Sequence, residues 1–320
     1  MSWDQSAPVD LTLLVCTFNR SGDLKEMLET ALVQETDGTF TYEVLVVDNN
    51  STDNTRQIVA DLIRDGHANL RYVFEERQGK SYALNTGLAS SRGAIYTIAD
   101  DDFILPRTWV RGIVEGFRQH PDASFVSGKV LPLWPREVPE WATSAEHWSA
   151  LALADYGDQP FYADENRQVC LLACSFRRRD VDAVGGYRTG LSVSKDLIGG
   201  VEDLEILQRL WKSGRKGVYL PDISFQHKVP ASRLTKTYHR RWHTGHGRFY
   251  AKLRDGEFER SKARLFDVPL HVFRQAGTAA IAWLKWQIRR RPREAFTEET
   301  RLRFFHGYVL ERLQMPRRRE

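Results

Sequence analysis

AIYTIADDDF, residues 94–103, decides how this chain is read: a β-rich apolar run ends abruptly in three consecutive carboxylates. Adjacent carboxylates repel, and each is costly to bury unpaired. A hard divalent cation removes that penalty, and Mg²⁺ or Mn²⁺ accepts one or two carboxylates alongside substrate phosphates. Phe103, Ile104 and Leu105 continue the apolar context, which argues against a solvated acidic loop. In a parallel sheet, ligands bind in the crevice at the carboxyl ends of the strands. A strand that delivers Asp100, Asp101 and Asp102 at its end therefore predicts an α/β fold with its site along that edge.

Working outward, the first half alternates strand-like and helix-like segments, as a mostly parallel sheet flanked by helices requires. Residues 11–16 (LTLLVC) end in Thr17, Asn19 and Arg20, and residues 42–47 (YEVLVV) end in Asp48, Asn49 and Asn50. Further strands are predicted at 70–74 and 124–130, with two short final ones at 217–220 and 223–226. Ser21 reads as the N-cap of the first helix, and Pro106 as first-turn residue of another. Pattern clarity drops over 131–166, where Trp134, Trp141 and Trp148 interleave with prolines, and returns at 169–176. Glu202 and Asp203 follow Gly199-Gly200 and open an amphipathic helix. As first-turn acids they suit the helix dipole, and the glycines permit close backbone approach. Arg20, Arg77 and Lys80 each suit either a phosphate oxygen or a solvated surface. His227 follows a short apolar strand.

The chain has 320 residues, 42% apolar and 28% charged, enough for a large core and unlike a disordered segment. No run approaches the roughly 20 apolar residues of a membrane span. The opening residues lack the basic and apolar regions of a signal peptide. Cys16, Cys170 and Cys174 make no disulfide framework, so a cytoplasmic location is the expectation. The formal charge of +4 conceals an asymmetry: residues 1–230 hold 24 Lys+Arg against 33 Asp+Glu, and residues 231–320 hold 22 against 9. The basic part favours an anionic surface.

Six ordered segments carry a resemblance: LLVCTFNR (13–20), VVDNNSTDNT (46–55), QGKSYALNTGL (78–88), IADDDF (98–103), FRRRDVDAVGGY (176–187) and GGVEDLEILQRLWKSG (199–214). Together they resemble the glycosyltransferase family 2 enzymes, which have the nucleotide-sugar-binding GT-A fold. The resemblance implies a catalytic domain over 1–230, with a donor half at about 10–130 and an acceptor half at about 131–230. Residues 231–320 form a basic, amphipathic helical extension. It implies an inverting, metal-assisted glycosyltransferase that moves a sugar from a nucleoside-diphosphate sugar to a hydroxyl of a carbohydrate or lipid-linked acceptor, as in polysaccharide biosynthesis. Thr17, Arg20 and Asp48 would contact the nucleoside, with Asn19 and Lys80 in the same donor site. Asp100 or Asp101 would contact the ribose, Asp102 and His227 the Mn²⁺ or Mg²⁺ ion, and Asp203 would be the general base. Glu202 and Trp134 would lie on the acceptor side.

A nucleotidyltransferase-like enzyme, or a non-catalytic sugar-nucleotide-binding protein, is the alternative. The first would usually bring a Gly-rich triphosphate loop that Thr17–Arg20 lacks, and the second would have lost Asp102 or Asp203. Residues 264–293 mix apolar, aromatic and basic side chains, the composition of an interfacial helix on the inner face of the cell membrane. The same composition suits a helix packed on the catalytic domain or across a homodimer. Leu302, Phe304, Phe305, Val309, Leu310 and Leu313 predict a further helix packed on protein. Nucleic acid is not an expected partner, because the aromatic residues follow a helical rather than a sheet-face pattern.

Overall fold

The computed structural model describes residues 8–169, 171–192, 197–254, 259, 261 and 263–315. Cys170 and the first seven residues lie outside them. Two compact units are present: residues 1–133, 152–190 and 202–228 form one, and residues 134–151, 191–201 and 229–320 the other.

The first unit is an α/β sheet. Its elements are β1 (Val9–Thr17), α1 (Ser21–Ala31), β2 (Tyr42–Asp48), α2 (Thr55–Arg64), β3 (Leu70–Phe74), α3 (Lys80–Ser90), β4 (Gly93–Asp100), β5 (Phe103–Ile104), α4 (Trp109–Gln119), β6 (Ala123–Leu133), β7 (Phe161–Ala163), β8 (Ser175–Arg177), α5 (Arg178–Val184), α6 (Glu202–Lys212) and β9 (Lys216–Lys228). Strand order is β3-β2-β1-β4-β8-β6-β9-β5, with β7 also on β9. The β3-β2-β1-β4 half is parallel, and it is read so readily because all seven residues of β2 and most of β1 are buried, with an unbroken apolar run Val44–Val47 at the centre of β2. Chain order reverses at β1, whose two neighbours were laid down after it. At the carboxyl ends of that switch point, the edge on which such sheets bind ligands, Thr17 pairs with Asp48 and Cys16 with Asp100. Beneath it, Leu14, Leu84, Tyr96, Phe125, Phe176, Leu207 and Trp211 pack in one buried cluster.

Several local expectations change. Arg20 rather than Ser21 occupies the cap position of α1 without capping it through its own side chain, and Asp53 Oδ2 accepts from the Ser21 N–H (2.9 Å). Pro106 lies outside α4, which starts at Trp109; the Pro106 carbonyl instead accepts from the Trp109 N–H and from Gln34 Nε2. The two predicted short final strands are one strand, β9, because its long parallel pairing with β6 absorbs two register shifts. Among the described residues of 169–176, where order was expected to return, Ser175 and Phe176 are strand.

The second unit holds α7 (Lys236–Leu253), a hairpin of β10 (Arg264–Leu265) and β11 (Val268–Pro269), α8 (Leu270–Ile288) and α9 (Pro292–Gln314). It also has 3₁₀ turns at Glu140–Thr143 and Ala145–Leu151. Helices α7 and α9 cross with glycine on both sides. A Cβ on Gly247 would sit 2.0 Å from the Phe304 carbonyl oxygen, and one on Gly307 1.9 Å from that of Thr244. Tyr308 and Arg312 on α9 are fully buried, with Arg312 paired to Glu259 and Asp267. Leu313, expected against protein, is instead 57% exposed, because it falls on the outer face of α9.

Candidate active site

The first unit's strand ends gather most of the predicted residues. β4 ends at Asp100, and the chain turns through Asp101 and Asp102 into β5. There Phe103 pairs with His227 of β9, and the Lys228 N–H donates to the Asp102 carbonyl (2.9 Å). This short antiparallel ladder sets His227 Nε2 3.1 Å from Asp102 Oδ2, both side chains being almost wholly buried. Arg20, at the entry to α1, reaches Asp101 Oδ1 (2.8 Å) and Asp102 Oδ2 (2.9 Å), and also pairs with Asp23. Thr17 donates its hydroxyl to Asp101 Oδ2 (2.7 Å). Burial pushes the Asp101 carboxyl up to about 7; it outweighs Arg20, and the charge of Asp102 adds to it.

A second cluster lies at the start of α3 and α6. Lys80 Nζ binds Asp100 Oδ1 at 2.9 Å and approaches Glu202 Oε1 at 4.0 Å. Burial works to discharge Lys80, but Asp100, Asp203 and Glu202 prevail and hold its pKa well above the usual lysine value. Burial, then the adjacent Asp203, push Glu202 up to about 7, and Glu202 Oε2 is buried without a hydrogen-bond partner. Burial also raises Asp203. Cys16 is no nucleophile here: burial pushes its thiol up to about 12.

The β1 and β2 loops are tied to each other. Asn19 adopts a left-handed conformation (φ 52°), and its Oδ1 accepts from the Thr52 N–H (2.7 Å). Asp48 accepts from the Ser51 N–H and from the Tyr72 hydroxyl, each at 2.8 Å. Tyr72 was missed by sequence reasoning, and Asn49 was read only as a polar strand end. Asn49 Oδ1 accepts from the Gly79 N–H (2.8 Å) while its Nδ2 donates to the Arg77 carbonyl (2.7 Å), fastening the loop before α3. Their signal lies in strand pairing rather than in any local motif. Trp134 belongs to the second unit, as do Trp141 and Trp148; Trp141 packs edge-on against His147, His239 and Phe296.

One carboxylate and one imidazole at ligand-like separation suit a divalent cation that takes its remaining ligands from diphosphate oxygens and water. Among the described residues, no third carboxylate or histidine joins Asp102 and His227 in a compact ligand group.

A reversed-order parallel sheet with acidic groups on its switch-point edge is the architecture of GT-A glycosyltransferases. A mannosyltransferase from Pyrobaculum calidifontis, solved in complex with GDP-Man and Mn²⁺, has a similar fold, with a TM-score of 0.58 at 20% identity, over 93% of this chain and 87% of that one. The profile described as Glycosyl transferase family 2 matches residues 12–185, more than half of the chain, which therefore belongs to that family and is a glycosyltransferase. A glucosyl-dolichyl phosphate glucuronosyltransferase of Haloferax volcanii is 26% identical over 226 residues, 68% of this chain and 69% of its own. The succinoglycan biosynthesis protein ExoM of Rhizobium meliloti is 26% identical over 246 residues, 76% and 75% of the two chains. The family match ends before Glu202, Asp203 and His227.

Proposed function

We propose that this chain transfers a sugar from a nucleoside-diphosphate sugar to a hydroxyl of a lipid-linked saccharide, with inversion at the anomeric carbon. The observation that carries it is the convergence of Asp102 and His227 at the end of β4, with Lys80 linking Asp100 toward the acidic start of α6. Asp102 and His227 would hold a divalent ion such as Mn²⁺, which would supply charge stabilisation for the departing diphosphate. Thr17, Asn19, Arg20, Asp48, Asp100 and Asp101 line the strand ends to which the nucleoside and ribose are assigned. Lys80 remains cationic beside them and suits a diphosphate oxygen. Asp203 takes the proton of the acceptor hydroxyl as that oxygen bonds to the anomeric carbon. The bond from that carbon to the diphosphate breaks, and the nucleoside diphosphate leaves. Burial raises the basicity of Asp203, which favours this role.

The lipid-linked acceptor is supported by the name of the Haloferax relative and by α8, which turns apolar side chains outward next to Arg289, Arg290 and Arg291. We assign that face to the anionic inner surface of the cell membrane; no helix among the described residues is long and apolar enough to cross one. Calorimetric titration with UDP-, GDP- and dTDP-sugars, with and without Mn²⁺, tests the donor reading. One class binds in a Mn²⁺-dependent way, and Asp102→Asn removes that dependence. Failure of every nucleotide sugar to bind in the presence of Mn²⁺ would overturn it.

A further inference from the structure

The second unit contains a cluster that the transfer reaction does not use. His239 and His243 stand one helical turn apart on α7, hence on the same face, and the 3₁₀ turn Ala145–Leu151 brings His147 to them. One ring nitrogen from each lies within 4.8 Å of the others. His147 Nδ1, both nitrogens of His239 and His243 Nε2 are buried without a well-formed hydrogen bond. Ordinary aromatic packing explains the edge-on contacts of Trp141 with His147 and His239. It does not explain why ring nitrogens of three histidines converge while buried with so little protein hydrogen bonding, a weak contact of His239 with the Arg233 backbone apart, since such burial is costly.

We propose that His147, His239 and His243 form a binding site for a borderline transition-metal dication of the Zn²⁺ type, separate from the carboxylate site of the sheet. Bonds of about 2.0–2.1 Å to imidazole place tetrahedral ligand atoms about 3.4 Å apart. Small side-chain rotations close the observed spacing to that value. Imidazole selects Zn²⁺, Co²⁺ or Ni²⁺ over Mg²⁺ and Mn²⁺, so the two sites differ in metal preference. Burial keeps the rings in the neutral form that ligation needs: it lowers His147, and pulls His239 to about 4 and His243 to about 3. His243 is half-buried, although its Nε2 is enclosed. Three protein ligands leave a fourth position for water or an anion. The bound ion fastens α7 to the 3₁₀ turn, as a structural staple within the second unit.

The test uses the full chain, stripped by chelator and held in excess Mg²⁺ to occupy the carboxylates. Titration with Co²⁺, read by its visible absorption and by Zn²⁺ displacement, yields one tight equivalent per chain with the intense bands of low-coordinate cobalt. His147→Gln and His243→Gln, checked for folding by circular dichroism, each weaken that binding at least about 100-fold. X-ray absorption at the zinc edge of the wild-type complex gives a shell dominated by imidazole, and this readout holds even if the variants fail to fold. No tight equivalent in excess Mg²⁺, binding that persists unchanged in the folded variants, or a shell of oxygen ligands would each overturn the site. Donor binding with Mn²⁺ is measured independently, so the transfer reading stands or falls separately.

Discussion

At the scale of single residues, Glu202 is buried, its neighbour Asp203 is half-buried, and Asp203 is the proposed base. Asp203→Asn removes the base but keeps the shape. A positioned base is worth about 10²–10⁴ in rate, so kcat drops by at least about 100-fold while calorimetric donor affinity is preserved. Turnover at the wild-type level would remove Asp203 from the mechanism. Glu202 is instead legible through stability. Its folded pKa is raised from 4.5 to about 7, so the native state holds this proton more tightly than the unfolded chain. The resulting stabilisation is full below pH 4.5 and disappears as pH rises through 7. Between those values one such group contributes a slope of up to about 1.4 kcal/mol per pH unit. Glu202→Gln cannot titrate, so chemical denaturation at several pH values gives a flatter profile from pH 5 to 7 than wild type does. Equal slopes would show that Glu202 is not protonated there.

At the scale of elements, the α7–α9 crossing makes the sharpest demand on sequence. The Gly307 hydrogen faces the Thr244 carbonyl, and no rotamer change can make room for a methyl group against backbone. Gly307→Ala gains about 1 kcal/mol of helix propensity and is nevertheless destabilised overall by about 1–3 kcal/mol, measured by urea denaturation. Gly277→Ala on α8, where a Cβ meets nothing within 4 Å, is the control and is neutral or stabilising. The same contrast explains what the sequence could convey. β1, β2 and β4 are apolar runs that stop at polar groups, so their ends, and with them Asp48 and Asp100–Asp102, were readable one segment at a time. The pairing of Phe103 with His227 joins distant parts of the chain and leaves no local pattern, so the neighbour of Asp102 came from resemblance alone. Arg20 was expected to face a ligand, whereas its ion pairs with Asp101 and Asp102 depend on where α1 enters relative to β4. The spacing of His239 and His243 was visible in the sequence, but their third partner, His147, arrives only through the packing of a 3₁₀ turn.

At the scale of the whole molecule, the charge asymmetry between residues 1–230 and 231–320 acquires a location. Only Val272 and Ala279 of α8 are buried. Ile281, Leu284 and Ile288 lie along one stripe with 74%, 54% and 74% exposure, beside Lys285 and the run Arg289-Arg290-Arg291. Water is a poor partner for such a stripe, and headgroup phosphates suit its basic flank. Burying three such side chains gives on the order of 1–2 kcal/mol each, and each basic residue near an anionic surface about 1 kcal/mol. Together these amount to roughly 7–10 kcal/mol, an association in the micromolar range or tighter. In flotation, the full chain therefore rises with phosphatidylglycerol-rich vesicles at low salt and much less with phosphatidylcholine vesicles. Raising the salt weakens the basic contribution, since the Debye length shortens to about 3 Å at 1 M. Replacing Ile281 and Ile288 together by Asp removes the apolar contribution and adds two charges of the wrong sign, so flotation disappears while the fold, which those exposed side chains do not support, is retained. A doubly substituted chain that still floats would move the membrane contact off α8, and a wild-type chain that never floats at low salt would remove it altogether.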